Sequence, residues 1–528
     1  MSLLRTLAIA AADLRARLRR PATLVFLALL LAAASTTFPD PSSGRGILTI
    51  GGRRAVYTSA ALAVATAGLL PFLLGLFGFY AVSNAVALDR RSGAGPLLGA
   101  TPMRSSEYLL GKLLGNLGLL SVVTLAFAVV VMAVQVVHGE APLEPLVFLS
   151  HLLVVALPAL FAVSTFALLF ECVPFLSGRF GDVAFFFVWL VTLSMPVFMG
   201  EPDKGHYPAI AAAFDWNGLG FLITEIQRVT GSGSMTIGWG GGAGPQGPAV
   251  VFPGFGFSAG MLGRRLLAFL PPLALLPVAL LAFDPFDPAR RIASSSTKSS
   301  LLSRLSVFLR PAAARALSVV VLPERAATRP GLLSAATTDL LVTLRLRPVL
   351  VLGIPVALLA ALLVPPGTAA SLLSAAYVLL ALLLSDIGTR EERTGLGRVF
   401  AATPGAGGRT DAVKLLSSAA TALLVLVPFA AKASFGRPLA LPAAAAGALF
   451  ASALAVFLAR ATGSPKPFLG LLLGLWYVAM NDKGRTAALD LAGFTGAATP
   501  GSVAGWVAVA ALLAAATLLL ERFRLSRA

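Results

Sequence analysis

The chain has 528 residues, 57% of them hydrophobic and only 12% charged, with a mean hydropathy of +0.87. A soluble domain carries about 25% charged residues, so this composition argues against a soluble enzyme, a disordered regulator or a secreted disulfide scaffold. The net charge of +18 would suggest nucleic acid in a soluble protein. In a membrane chain it bears on orientation instead, and no nucleic-acid partner is expected.

Residues 3–20 carry Leu4, Leu7, Ala11, Leu14 and Leu18 at spacings of three and four, one face of a helix. Arg15, Arg17, Arg19 and Arg20 crowd its end. This predicts an interfacial elbow helix on the cytoplasmic leaflet of the lipid bilayer. An apolar run then extends from Pro21 to about 38. Further runs stand at about 58–88, 108–137, 146–170, 183–199 and 266–283, then 348–366, 368–387, 412–431, 441–459, 467–480 and 503–520. At about 20 residues per span, the prediction is an all-α polytopic membrane protein with about twelve transmembrane helices. Pro71, Pro158, Pro196, Pro277 and Pro355 fall inside runs, which packed neighbours can tolerate.

With the N-terminus inside, the cytoplasmic segments hold 30 Lys and Arg and the outer loops 11. Both termini are therefore expected in the cytoplasm. Arg264 and Arg265, at the outer end of the sixth run, go against the rule. The lone Cys172 excludes an intramolecular disulfide. His138, His151 and His206 show no ligand spacing, and no metal is expected.

The chain repeats itself. Asp89-Arg-Arg-Ser-Gly-Ala-Gly-Pro-Leu-Leu-Gly-Ala-Thr-Pro102 follows the second run, and Glu391-Glu-Arg-Thr-Gly-Leu-Gly-Arg-Val-Phe-Ala-Ala-Thr-Pro404 follows the eighth. At an offset of 302, Arg91/Arg393, Gly93/Gly395, Gly95/Gly397, Ala100/Ala402, Thr101/Thr403, Pro102/Pro404 and Lys112/Lys414 are identical. Asp13…Arg20-Pro21 echoes Asp339…Arg347-Pro348, and Leu333, Ala336, Leu340 and Leu344 repeat the elbow face, with Arg345 and Arg347 at its end. The expected organisation is two parallel six-helix repeats, each preceded by an elbow. Residues 1–283 form the first unit, 284–331 a cytoplasmic linker and 332–528 the second unit. The first unit alone has a long exterior loop, about 200–265, expected as a structured cap over the external mouth.

A phosphate-binding loop is missing. At the only Gly-Lys pair, Gly111-Lys112, Ser106 replaces the required first glycine and Leu113 the Ser or Thr. No HExxH or GxSxG occurs, and the predicted span centres hold almost no ionisable groups, which disfavours an ion-coupled relay. In the repeated loop, the glycines permit tight turns and Thr-Pro marks the next helix start.

An amphipathic elbow, six spans and an acidic-Arg-x-Gly…Ala-Thr-Pro…Lys loop after the second span resemble permeases of the type-2 exporter class of ABC transporters, here as two units fused in one chain. The resemblance implies a transport subunit without its own nucleotide site or cofactor, seated on two copies of an ABC ATPase that bind the ATP and Mg. It implies ATPase-coupling loops made by Asp89, Arg90, Arg91, Gly93, Gly95, Thr101, Pro102 and Lys112, and by Glu391, Glu392, Arg393, Gly395, Gly397, Thr403, Pro404 and Lys414. One fused chain per complex is expected, in a bacterial plasma membrane, exporting an amphipathic or lipid-like substrate. Asn84 and Asp386 also align at the 302 offset and suggest a polar pair at an inner gate. The competing readings are an ion-coupled secondary transporter and a membrane enzyme using Asp203, His206, Asp215 and Glu225 of the exterior loop.

Overall fold

Hydroxyl and proline residues set the first helix boundaries. The Ser2 hydroxyl accepts the Arg5 N–H at 3.4 Å and caps α1, Leu3–Leu18. Pro21 opens α2, Pro21–Thr37, in the first turn, where its missing N–H costs no helical bond. The computed structural model describes residues 2–41, 46–232, 234–238, 248–283, 286, 331–345, 348–393 and 406–525. It divides the chain into two units, residues 1–289 and 290–528.

In the first unit the Thr58 hydroxyl caps α3, Ser59–Leu73. Pro71 withdraws one N–H from its ladder, and a π turn follows at Leu74–Gly78. Two short helices complete this segment, α4, Phe79–Val82, and α5, Ala85–Arg91. Then come α6, Ala94–Gly99, α7, Ser105–His138, α8, Pro145–Cys172, and α9, Arg179–Phe198. Phe79, Phe127, Phe148, Phe185, Phe186 and Trp189 fill the core between them, each fully buried. The Phe79 and Phe185 rings stack with centroids 3.6 Å apart.

The two long first-half loops fold together. Strands β1, Leu48–Ile50, and β2, Arg53–Arg54, form a hairpin whose turn glycines, Gly51 and Gly52, have positive φ. Strand β3, Met235–Ile237, pairs antiparallel with β1, Thr49 opposite Thr236, in the order β2-β1-β3. This small sheet is absent from the all-α expectation: three-residue strands carry too little alternation to be read. Helices α10, Ala209–Phe214, and α11, Leu219–Thr230, precede β3. Helices α12, Ala259–Leu267, and α13, Leu270–Ala282, follow it.

The second unit holds α14, Leu332–Arg345, α15, Pro348–Leu363, α16, Pro366–Leu384, and α17, Arg390–Arg393. After these come α18, Ala406–Ala433, α19, Ala440–Thr462, α20, Lys466–Asp482, and α21, Pro500–Leu525. Helix α19 buries a wall of small residues, among them Ala444, Gly447, Ala448, Ala451 and Ala455, which lets its neighbours approach closely. The Asp490 carboxylate folds the loop before α21, accepting N–H bonds from Thr495, Gly496 and Ala498 at 3.2, 3.0 and 3.1 Å.

The chain is mostly helical. Among the described residues nine helices are long and apolar enough to cross a membrane, as in a multi-pass membrane protein. A helix stands at each of the twelve predicted runs; the nine count Ser59–Arg90 and Ala259–Ala282 as continuous helices, whereas α2, α15 and α20 have 17, 16 and 17 residues. At about 1.5 Å per residue they fall a little short of an average bilayer core, about 30 Å thick.

Candidate functional site

The elbow helix α1 turns its polar face inward. Thr6, Asp13 and Arg17 are buried, whereas Leu3 and Leu4 are 70% and 81% exposed. The predicted apolar face is thus left uncovered by the chain at Leu4, Leu7 and Ala11. The groove that receives α1 is cut by glycine: a Cβ on Gly115 of α7 would lie 2.9 Å from Asp13 Oδ2. Arg15 and Arg19 are exposed and Arg20 half-buried. Arg17 is not a surface charge at all, because it pairs with Asp13 at 2.7 Å.

Lys112 lies on α7, almost fully buried, where two carboxylates meet. Its Nζ stands 2.8 Å from Asp13 Oδ1 and 2.8 Å from Asp89 Oδ2. The Tyr108 hydroxyl donates to the same Asp89 oxygen at 2.8 Å. Helix α7 has 34 residues, about 50 Å of helix, so its first turns extend beyond an apolar core and can hold charge.

The same constellation recurs in the second unit. Lys414 Nζ lies 2.6 Å from Asp339 Oδ1 and 2.5 Å from Glu391 Oε1. Here the Ser417 hydroxyl donates to Asp339 Oδ2 at 2.6 Å. Ser417 aligns with Gly115, and Thr343 takes the register of Arg17. Each of the two aspartates therefore has a second partner, from the elbow in one unit and from the long helix in the other. The 302 offset could find the lysine and the loop acid. The elbow aspartates, which centre both clusters, repeat at 326 and escaped the candidate set.

The first loop is resolved into parts. Asp89, Arg90 and Arg91 close α5. Gly93 turns the chain at φ +77, a region glycine enters without strain. Gly95 lies under Phe286, whose ring a Cβ would meet at 2.8 Å. Phe286 also takes the Arg90 guanidinium over its ring and packs edge-on to Tyr108. Phe286 thus covers one side of the loop. The other side is open: Leu97 is 73% exposed, and Thr101 and Pro102 are exposed beside it. The Arg5 guanidinium reaches the Pro102 carbonyl at 3.3 Å.

In the second loop Glu391, Glu392 and Arg393 fall in α17. Gly395, Gly397, Thr403, Pro404 and Arg347 lie outside the described residues. Arg345 ends the second elbow, whose stripe runs opposite to expectation. Ala336, Leu340 and Leu344 are buried and only Leu333, at 75%, is exposed. With Thr343 in place of an inward arginine, that helix packs on its apolar residues.

Asn84 and Asp386 both mark breaks after a long helix. Asn84 stands at φ +105. Asp386, 7% exposed, begins a turn in which its carbonyl accepts the Thr389 N–H at 3.1 Å.

The four groups of the 200–265 loop do not form a site. Asp203 and His206 are exposed. Asp215 is fully buried and accepts from the Tyr207 hydroxyl, the Gly218 N–H and the Phe221 N–H at 2.6, 3.0 and 2.7 Å. Burial pushes both Asp215 and Tyr207 up. Glu225 is engaged by Arg228 at 2.6 Å and Arg264 at 3.4 Å. Among the described residues no cluster of His, Cys, Asp and Glu could hold a metal. His151 is a core histidine, its Nε2 accepting the Phe255 N–H at 2.8 Å.

No protein-family model, curated protein or solved structure matches this chain.

Proposed function

We propose that the chain is the membrane-spanning permease of an ABC exporter of the type-2 class, working with separate ATPase subunits. The observation that carries this reading is the matched ion cluster. In each unit an elbow carboxylate and a loop carboxylate meet around one buried lysine at the start of a long helix. Such a group ties an element at the membrane surface to the loop after the second span. It gives that loop a fixed position from which a push can be transmitted.

On this reading the twelve helices are all spans, in two parallel sets of six, and both termini are cytoplasmic. The loops 89–112 and 391–414 seat one ATPase copy each. ATP closes the ATPases, the loops carry the motion, and the two halves change their population of inward- and outward-open states. The exposed Leu97, Thr101 and Pro102 offer an apolar contact rimmed by Arg5 and Arg104. The plasma membrane of a bacterium is the proposed location, with an amphipathic or lipid-like molecule as cargo.

The test is affinity purification of the tagged chain from its native membrane, with mass spectrometry of its companions. A stoichiometric subunit carrying a phosphate-binding loop, lost when residues 89–95 and 391–397 are scrambled, is the expected result. A folded chain that brings no ATPase under gentle detergent conditions, and moves a solute on an ion gradient alone, would overturn the proposal.

A further inference from the structure

The segment that delivers the first loop is broken just before it. Val82 closes α4, Ser83 is extended and Asn84 is left-handed at φ +105. Among the described residues only Asn84 and Lys483 adopt positive φ without being glycine. Such a break exposes carbonyls at the end of one helix and N–H groups at the start of the next, and here both sets meet a charge.

The N–H groups go to Glu171, on the last turn of α8. Its Oε1 accepts from Asn84 at 2.5 Å and Ala85 at 2.8 Å. Its Oε2 accepts from Val86 at 2.7 Å and Ala87 at 3.1 Å. The Val82 carbonyl accepts from Arg17 Nη1 at 2.8 Å, and Arg17 is in turn held by Asp13. A cation closes one helix and an anion opens the next, each placed to favour the helix dipole it faces. Helix α5 is therefore clasped at both ends, by Glu171 at its start and by the Asp89–Lys112 pair at its finish.

The second unit is built differently at this point. Thr343 replaces Arg17, and its hydroxyl accepts from Arg390 at 3.1 Å. The turn Ser385–Thr389 closes through the Asp386 carbonyl. Its Gly388 packs flat on α19, where a Cβ would lie 2.5 Å from the Ala459 methyl.

We infer that Glu171 is a positioning residue for coupling in the first half. It fixes α5 to α8, so that the first loop moves with α8 as one body, while the approach to the second loop is seated on α19 through Gly388. The approaches to the two loops are then held by different contacts. The clasp itself is independent of the proposed function; its consequence for coupling rests on that reading.

Hydrogen exchange of the full chain in lipid nanodiscs, followed by mass spectrometry, tests the clasp directly. In Glu171→Gln the amides of residues 84–87 exchange about ten-fold faster, the scale of one charge-assisted hydrogen bond. Glu171→Asp falls between, and the peptide covering 386–393 is unchanged. In the complex with the ATPase that co-purifies, Glu171→Gln lowers transport per ATP hydrolysed while assembly and the KM for ATP stay the same. Equal exchange in wild type and Glu171→Gln overturns the clasp, and faster exchange throughout the first unit makes Glu171 merely structural. Faster local exchange with unchanged transport per ATP overturns the positioning role alone. Faster local exchange with no ATPase in the preparation leaves the clasp standing and overturns the coupling reading beneath it.

Discussion

Lys112 reaches back from α7 to Asp13 of the elbow helix at 2.8 Å, and the same ammonium holds Asp89 at the foot of the loop. Three chain segments distant in sequence are joined through one nitrogen. Lys112 is only 4% exposed, so removing it leaves the buried Asp13 with Arg17 alone and the half-buried Asp89 without its cation. Breaking a buried ion pair from one side costs about 3–5 kcal/mol. Lys112→Met and Lys414→Met are each expected to lower the thermal midpoint of the purified chain steeply. Adding Asp89→Asn to Lys112→Met removes the carboxylate left without its cation and recovers part of the loss, while Asp13 keeps Arg17 as its partner. A single lysine variant as stable as wild type would show that the cluster does not hold the loop.

The loop arginines permit a test that leaves these clusters intact. Arg91 and Arg393 align at the ends of α5 and α17. The double variant Arg91→Glu, Arg393→Glu is expected to keep the fold and the melting midpoint. On the proposed function it should reduce ATP-driven transport about ten-fold or more, since each reversal would replace attraction by like-charge repulsion at the proposed ATPase interface. Transport and co-purified ATPase activity, measured together, check it. Wild-type transport by the double variant would remove the arginines from the coupling surface.

How much of this was legible in the sequence depends on range. Helix positions follow from apolar runs, and helices stand at all twelve. The loop's Asp89 and Lys112 and their counterparts were legible because a repeat samples the same environment twice. Asp13 was harder: on a helix of leucines and arginines it looks like a solvated charge, and only the fold shows that it faces α7. Glu171 and Phe286 carried no signal, because each meets its partner across a long stretch of chain and has no counterpart at a fixed offset. Arg265 looked like a breach of the positive-inside pattern. Its reason is a proline in another helix, which no local pattern reveals.

Acid should loosen the small sheet before it affects the helices. Arg54 of β2 pairs with Glu140 at 2.6 Å, and Glu140 also accepts the Tyr57 N–H at 3.0 Å. The hydrogen bond from Arg54 holds the Glu140 carboxyl below its ordinary value of 4.5. A depressed carboxylate stabilises the fold above its unfolded pKa, and that contribution is lost as pH falls through the folded one. The loss therefore begins below about pH 4.5 and is small, under about 1 kcal/mol, because the pair is partly solvated. Burial raises Tyr57 to about 12, so it stays neutral throughout and its hydroxyl keeps donating to Pro39. Exchange of the Thr49, Ala55 and Tyr57 amides between pH 7 and pH 4, corrected for intrinsic rates, is expected to show the opening. Glu140→Gln should open these amides at pH 7 and flatten the dependence; a wild-type profile in that variant would clear Glu140 of the effect.

Arg265 and Pro158 form the last testable pair. Pro158 sits inside α8 and cannot donate to the carbonyl four residues back, Val154. Arg265 supplies what is missing: its Nε donates to Val154 at 3.1 Å, and Nη2 donates to Val155 and to Trp216. Nη1 donates to the Asp215 carbonyl at 2.5 Å. One guanidinium thus repairs the proline gap and pins the α10–α11 turn onto α8. Arg265→Met is expected to destabilise the first unit by about 3 kcal/mol, several buried acceptors losing their donor at once. Pro158→Ala restores an N–H to Val154, so in the double variant the loss on removing Arg265 should shrink by about 1 kcal/mol, one hydrogen bond's worth. The remainder persists, because the Asp215 and Trp216 carbonyls gain nothing from the Pro158→Ala change. Unfolding midpoints of the four chains close the cycle, and strict additivity would separate Arg265 from the proline.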